Sequence, residues 1–106
     1  MQVLMRPWGA MHYRSEGEGP AVVFANSLGT DLRLWDAVLP LLPGLRAIRF
    51  DKRGHGLSSR GPDEGIAGFA EDAAALIEAV AGGPVVFVGL SIGGMIGQAL
   101  AARRPD

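Results

Sequence analysis

The sequence predicts an α/β fold: a mostly parallel sheet with helices on its faces. Three observations carry this. Short apolar runs stand at 21–25 and 84–88, each the length of a strand buried on both sides, and 45–50 is a further strand candidate. An amphipathic helical pattern covers 66–80, and a second helical stretch runs from Ser91 to Arg104. Strands and helices alternate along the chain, as they do when parallel strands are joined by crossover helices.

Taken in order, Met11–Ser15 alternates in character and reads as a half-exposed strand. Glu16–Pro20 holds two glycines and a proline and reads as a turn. Ala21–Ala25 is the first buried strand, and Asn26–Thr30 breaks it with small and polar residues. Asp31 is placed to cap a helix carrying Leu34, Trp35, Val38, Leu39 and Leu42, which Pro40 shortens or bends. Trp35 and these leucines are expected in the core. Leu45–Phe50 is the next strand, followed by a glycine-rich loop over 51–60. Ile66, Phe69, Ala73, Leu76, Ile77 and Val80 share one helical face, and Gly82 and Gly83 stop that helix. Pro84–Val88 is the last strand, and Pro105 ends the helix after it.

Composition narrows the function classes. The chain has 106 residues, 48% of them hydrophobic, enough for one domain with a core. Net charge is -1 and no dense basic run occurs, so neither nucleic acid nor an anionic membrane is an expected partner. The absence of cysteine excludes disulfides and thiolate metal sites. No apolar stretch approaches a membrane span, and the N-terminal residues lack the apolar core of a signal peptide. A cytoplasmic protein is expected.

In parallel sheets, chemistry gathers at the C-terminal strand ends. Three loops fall there, after Ala25, Phe50 and Val88. The last is Gly89-Leu90-Ser91-Ile92-Gly93, where an apolar strand runs into a helix. A sharp turn of this kind lifts a serine hydroxyl clear of the sheet, and small neighbours permit the tight backbone. Ser91 is therefore the candidate nucleophile. The helix start behind it offers unpaired N–H groups, and the Ile92 amide is a candidate donor to a developing oxyanion. A second donor is expected from the loop after the earlier strand, Asn26-Ser27-Leu28-Gly29, with the Leu28 N–H as candidate. The alternative is a plain polar turn in which Asn26 bonds its own backbone. In the third loop, His55 lies between two glycines, which favours a structural turn over a general base. Asp51 and Arg53 are expected to tie that turn together. His12 is expected to be a packed or exposed strand residue.

The three motifs, Asn-Ser-Leu-Gly at 26–29, Asp-Lys-Arg-Gly-His-Gly-Leu-Ser at 51–58 and Gly-Leu-Ser-Ile-Gly-Gly at 89–94, together resemble the α/β-hydrolase superfamily. Asn26 to Thr30, followed by Leu34-Trp35-Asp36, most resembles the 3-oxoadipate enol-lactonases. That resemblance implies a cofactor-free, metal-free hydrolase that opens a lactone or ester through an acyl-enzyme on Ser91, with Leu28 and Ile92 as oxyanion donors. It implies aromatic catabolism through the β-ketoadipate pathway. It covers residues 1–106 but about the first two-fifths of such an enzyme. The acid and histidine of the triad, the later strands and the lid would follow, so this chain alone is expected to be inactive. A perhydrolase or a carbon–carbon bond hydrolase uses the same serine and stays open. A truncated, non-catalytic module is the other alternative: the strand at 84–88 would then present an unpaired edge, and the chain would self-associate or pair with the missing C-terminal part.

Overall fold

The computed structural model describes residues 2–27, 29–62 and 64–103. Five strands form one mixed sheet: β1 (Gln2–Arg6), β2 (Gly9–Glu16), β3 (Ala21–Ala25), β4 (Arg46–Phe50) and β5 (Val86–Gly89), in the order β1-β2-β4-β3-β5. β3 lies between β4 and β5 and is parallel to both. β2 is antiparallel to β1 and to β4. The parallel character expected from the sequence thus belongs to the three strands that carry the motifs. β1 was not expected. Its residues alternate only weakly, and it becomes a strand by closing a hairpin with β2, where Gln2 faces Tyr13 and Arg6 faces Gly9.

Two helices, α1 (Gly65–Leu76) and α2 (Ile92–Arg103), cover one face of the sheet. Val23, Ala25, Ile48 and Phe50 meet Ala70, Ala73, Leu76, Ile96 and Leu100 there. The opposite face is closed by a smaller cluster of Val22, Phe24, Ala47 and Trp35, with the Trp35 ring 5.1 Å from that of Phe24. Successive residues of β3 thus point into two cores, which explains its unbroken apolar run. Trp35 is a core residue, as expected.

The helix expected after Asp31 does not form. Two short 3₁₀ turns, Leu32–Trp35 and Leu39–Leu41, replace it. Asp31 does cap the first, accepting from the Arg33 amide. Pro40, however, has no N–H to give an α-helix, and Pro43 follows closely. Of the apolar residues expected on that helix only Trp35 is buried, with Leu39 packed against its cluster; Leu34, Val38 and Leu42 are exposed, contrary to the expectation that the leucines lie in the core. α1 ends in a widened turn over Ile77–Ala81, closed by Gly82 in the left-handed conformation, φ 72°. No helix among the described residues is long and apolar enough to cross a membrane.

One buried carboxylate locks these layers together. Asp72, on the inner face of α1, accepts from Arg6 Nε at 2.9 Å, Trp8 Nε1 at 3.0 Å, and Arg53 Nε and Nη2 at 2.8 and 3.1 Å. It joins the first hairpin, the loop after β4 and α1. Removing the carboxylate would leave the buried Arg53 guanidinium without its main partner; breaking a buried ion pair in this way costs about 3–5 kcal/mol.

Candidate active site

The elbow after β5 has the geometry its sequence requires. Ser91 is the one non-glycine residue with positive φ, 57°, among those described. That conformation costs an L-residue about 1 kcal/mol or more and persists only where the surroundings impose it. Here they do. The Leu90 amide donates to the Ala25 carbonyl at 3.0 Å, pinning the turn to the end of β3. The Ser91 carbonyl accepts from Gly94 at 2.9 Å and Met95 at 3.3 Å, which starts α2 immediately. A Cβ at Gly93 would lie 2.2 Å from the Ala25 oxygen, and one at Gly89 would lie 2.3 Å from the Gly93 backbone. Only glycine at both positions lets helix and strand approach this closely.

Ser91 is exposed, and its hydroxyl has no hydrogen-bond partner among the described residues. Ile92 heads α2, where the first N–H groups have no acceptor within the helix. The hydroxyl and this amide therefore meet the helix's positive end together.

The loop after β3 is held by its own polar groups. Asn26 is fully buried and donates from Nδ2 to the Thr30 carbonyl at 2.8 Å and to its hydroxyl at 3.1 Å. Thr30 returns a hydroxyl bond to the Ser27 carbonyl at 2.6 Å. The self-bonding turn read as an alternative is thus present, and it makes the loop rigid. Leu28, the sequence's second oxyanion candidate, lies outside the described residues.

Beneath this loop sits Lys52, 1% exposed. Its Nζ donates to the carbonyls of Asn26 at 3.2 Å and Ser27 at 3.0 Å. Burial lowers its pKa from 10.5 to about 8, opposed by the neighbouring Asp51 carboxylate. Nothing in the sequence marked this residue, because a buried lysine looks like any other in a charged loop.

The loop after β4 is organised differently from expectation. Asp51 does not pair with Arg53, which turns to Asp72 and Glu64 instead. Asp51 accepts from the Leu32 amide at 2.8 Å, the Leu57 amide at 3.0 Å and His12 Nδ1 at 2.8 Å. A Cβ at Gly56 would lie 2.4 Å from that carboxylate. His55 is structural, as read: Nδ1 lies 3.1 Å from the Arg53 carbonyl and the ring meets Phe69 edge-on. His12 is a packed residue of β2, as read, and joins the Asp51 cluster. No hydrogen bond joins either histidine to Ser91, and the described residues contain no group of three or more His, Cys, Asp or Glu suited to a metal.

Comparison with known proteins follows from this geometry. The sequence profile of the alpha/beta hydrolase fold matches residues 20–106. The chain belongs to the α/β-hydrolase family. This chain is 36% identical to 3-oxoadipate enol-lactonase 2 of Acinetobacter baylyi, over 92% of its own length and 38% of that protein's. It is 35% identical to a putative carbamate hydrolase, RutD, of Variovorax paradoxus, over 90% and 38%. The crystal structure of the enol-lactonase from Burkholderia xenovorans superposes with a TM-score of 0.85 at 38% identity, covering 91% of this chain and 39% of that one. The chain thus spans about two-fifths of the length of these relatives.

Two outcomes follow. Ser91→Gly and Ser91→Ala both remove the hydroxyl, but only glycine relieves the positive φ, so Ser91→Gly is expected to be the more stable by about 1 kcal/mol in urea unfolding. Equal stabilities would contradict the imposed strain. The second concerns Lys52, whose native pKa lies below its unfolded value. Between about pH 8 and 10.5 the unfolded chain keeps a proton that the native state has released, so stability rises with pH across that window. Relative to Lys52→Met, the wild type is expected to gain roughly 2 kcal/mol between pH 7.5 and 10. A gap that stays constant would show that the ammonium is not desolvated.

Proposed function

We propose that the protein is a serine-dependent hydrolase that opens an enol-lactone, 3-oxoadipate enol-lactone being the favoured substrate, through an acyl-enzyme on Ser91. The observation that carries this reading is the imposed positive φ of Ser91 at the strand-to-helix turn. It presents an unencumbered hydroxyl beside the first amides of α2. The choice of lactone draws on the identity to the Acinetobacter enzyme. Other carboxylic-ester, carbamate or carbon–carbon bond substrates use the same serine.

In this reading the Ser91 oxygen attacks the lactone carbonyl, and the amides of Ile92 and Leu28 hold the resulting oxyanion. Ring opening gives the acyl-enzyme, and water releases the acid. The reaction requires a general base. His12 is committed to Asp51 and His55 to the Arg53 carbonyl. The proposal therefore assigns the base and its acid partner to the part of the fold outside these 106 residues, in the order serine, acid, histidine. No cofactor is required. The setting proposed is the cytoplasm.

A second feature supports a partner for the sheet. Among the described residues β5 pairs only with β3, while Val86 and Val88 on it, and Leu90 and Met95 beside it, are exposed. An apolar edge of this kind recruits another strand. We propose that it takes up the remainder of the hydrolase fold, and that segment 1–106 by itself self-associates.

In the full-length protein, a fluorophosphonate is expected to label Ser91, and Ser91→Ala is expected to lower kcat on an enol-lactone by about 10⁴-fold or more. Labelling at another residue, or turnover surviving the substitution, would overturn the serine mechanism. For isolated segment 1–106, sedimentation velocity at micromolar concentration is expected to show oligomers; a compact monomer would remove the edge proposal.

A further inference from the structure

We infer that two copies of this 106-residue chain join through β5 as a closed, two-fold dimer, with Phe87 opposite its own copy and the two α2 helices side by side. This rests on the reading of β5 as an open, self-associating edge given above, and adds the partner, the register and the size of the assembly.

The backbone defines the surface. In an extended strand the N–H and C=O of one residue point the same way, and successive residues alternate. The Leu90 amide reaches the Ala25 carbonyl of β3. Val88 and Val86, in step with Leu90, therefore also turn to β3, level with Phe24 and Val22. Gly89 and Phe87, and Val85 just ahead of the strand, aim their N–H and C=O groups outward. These positions are symmetric about Phe87. A second β5, running antiparallel with Phe87 at its centre, meets all of them. Phe87 exchanges both bonds with its copy, and Val85 and Gly89 exchange theirs crosswise.

The side chains suit the same register. Val86 and Val88 are exposed on one face of the sheet. In the dimer each Val86 stands opposite Val88 of the other copy, so the exposed valines cover one another as cross-strand pairs. On the opposite face α2 lies over β5 and β3. With strands about 4.8 Å apart, the two α2 axes come about 10 Å apart, the spacing at which helices pack. Gly97 sits level with the two-fold axis, because a Cβ there would lie 2.9 Å from the Phe87 ring. Its lack of a side chain leaves room where the helices approach.

Charge points to a second copy as the partner. From Ala79 to Ala102 the sequence holds no charged residue. The edge strand, the elbow and α2 therefore bring no like charges together across a two-fold axis. They also offer no charge to steer an acidic or basic partner. Edges that stay single are commonly blunted by lysine, proline or a charge turned inward, and Val86–Gly89 carries none of these. An isologous contact of this kind uses up β5 on both copies, so assembly through this edge stops at the dimer.

The test uses the 106-residue chain, which has no cysteine of its own. Directly opposed residues that share no backbone bond lie about 4.5 Å apart at Cα, within disulfide reach. Under mild oxidation, a mixture of Val86→Cys and Val88→Cys chains is expected to form a disulfide dimer at least about tenfold faster than either variant alone, since each position lies a diagonal step from its own copy. The double substitution Val86→Lys, Val88→Lys is expected to raise the dimer dissociation constant by about 100-fold or more in sedimentation equilibrium, with the far-ultraviolet circular dichroism unchanged. A dimer that the lysines leave intact overturns the inference. Should the lysine variant fail to fold, the cysteine mixture decides. Val88→Cys chains that cross-link among themselves as fast as the mixture show another register and overturn it. A wild-type dimer that yields no cross-link through either cysteine also overturns it, but leaves self-association standing. A wild-type chain that sediments as a compact monomer removes the edge reading itself.

Discussion

The carbonyl oxygen of Ala25 is the point on which the site end of this molecule depends. It ends β3, accepts the Leu90 amide and lies so close to Gly93 that no side chain fits between them. That single approach sets the height of α2 above the sheet, and with it the turn that carries Ser91. Because Asn26 follows directly, the same atom also fixes where the next loop begins. Nucleophile and candidate oxyanion loop thus share one backbone anchor. The distance between them is governed by main-chain geometry, which substitutions elsewhere perturb little.

Around that anchor the protein invests buried polar groups instead of apolar ones. Asp51 gathers His12, Leu32 and Leu57, while Lys52 turns the other way to the carbonyls of Asn26 and Ser27. Adjacent residues of opposite charge therefore hold two different loops at the same end of β4. A buried polar network gives little net stability, since desolvation offsets most of its attraction. What it provides here is a defined loop geometry at the strand ends.

The parts of this arrangement legible in the sequence are those in which the backbone itself constrains residue type. The strand at 21–25 must be apolar on both sides because it lies between two cores. The elbow must carry glycines because helix and strand nearly touch. Gly82 marks the end of α1 for another reason, its left-handed φ of 72°. What could not be read depends on encounters between distant residues. β1 is a strand only because β2 is beside it. Asp72 looks like one more charged helical residue until Arg6, Trp8 and Arg53 arrive from 19 to 66 positions away. The pairing expected between Asp51 and Arg53 assumed that neighbours in sequence bond each other, whereas Asp51 meets His12, Leu32 and Leu57, and Arg53 meets Asp72 and Glu64. The stretch after Asp31 shows the opposite error: its apolar spacing is helical, but Pro40 and Pro43 lack donors, so packing shaped two short turns instead.

The four-donor cluster at Asp72 has a consequence for how this sequence can drift. Arg6, Trp8 and Arg53 all donate to a single carboxylate, so loss of that carboxylate leaves three donors, two of them cationic, without their shared acceptor. A viable exchange at position 72 for an uncharged residue must come with coordinated exchanges in the opening hairpin and in the loop after β4. Positions 6, 8, 53 and 72 are thus expected to behave as one inherited unit, and the first eight residues, which contain no element of the site, are tied to the region that does.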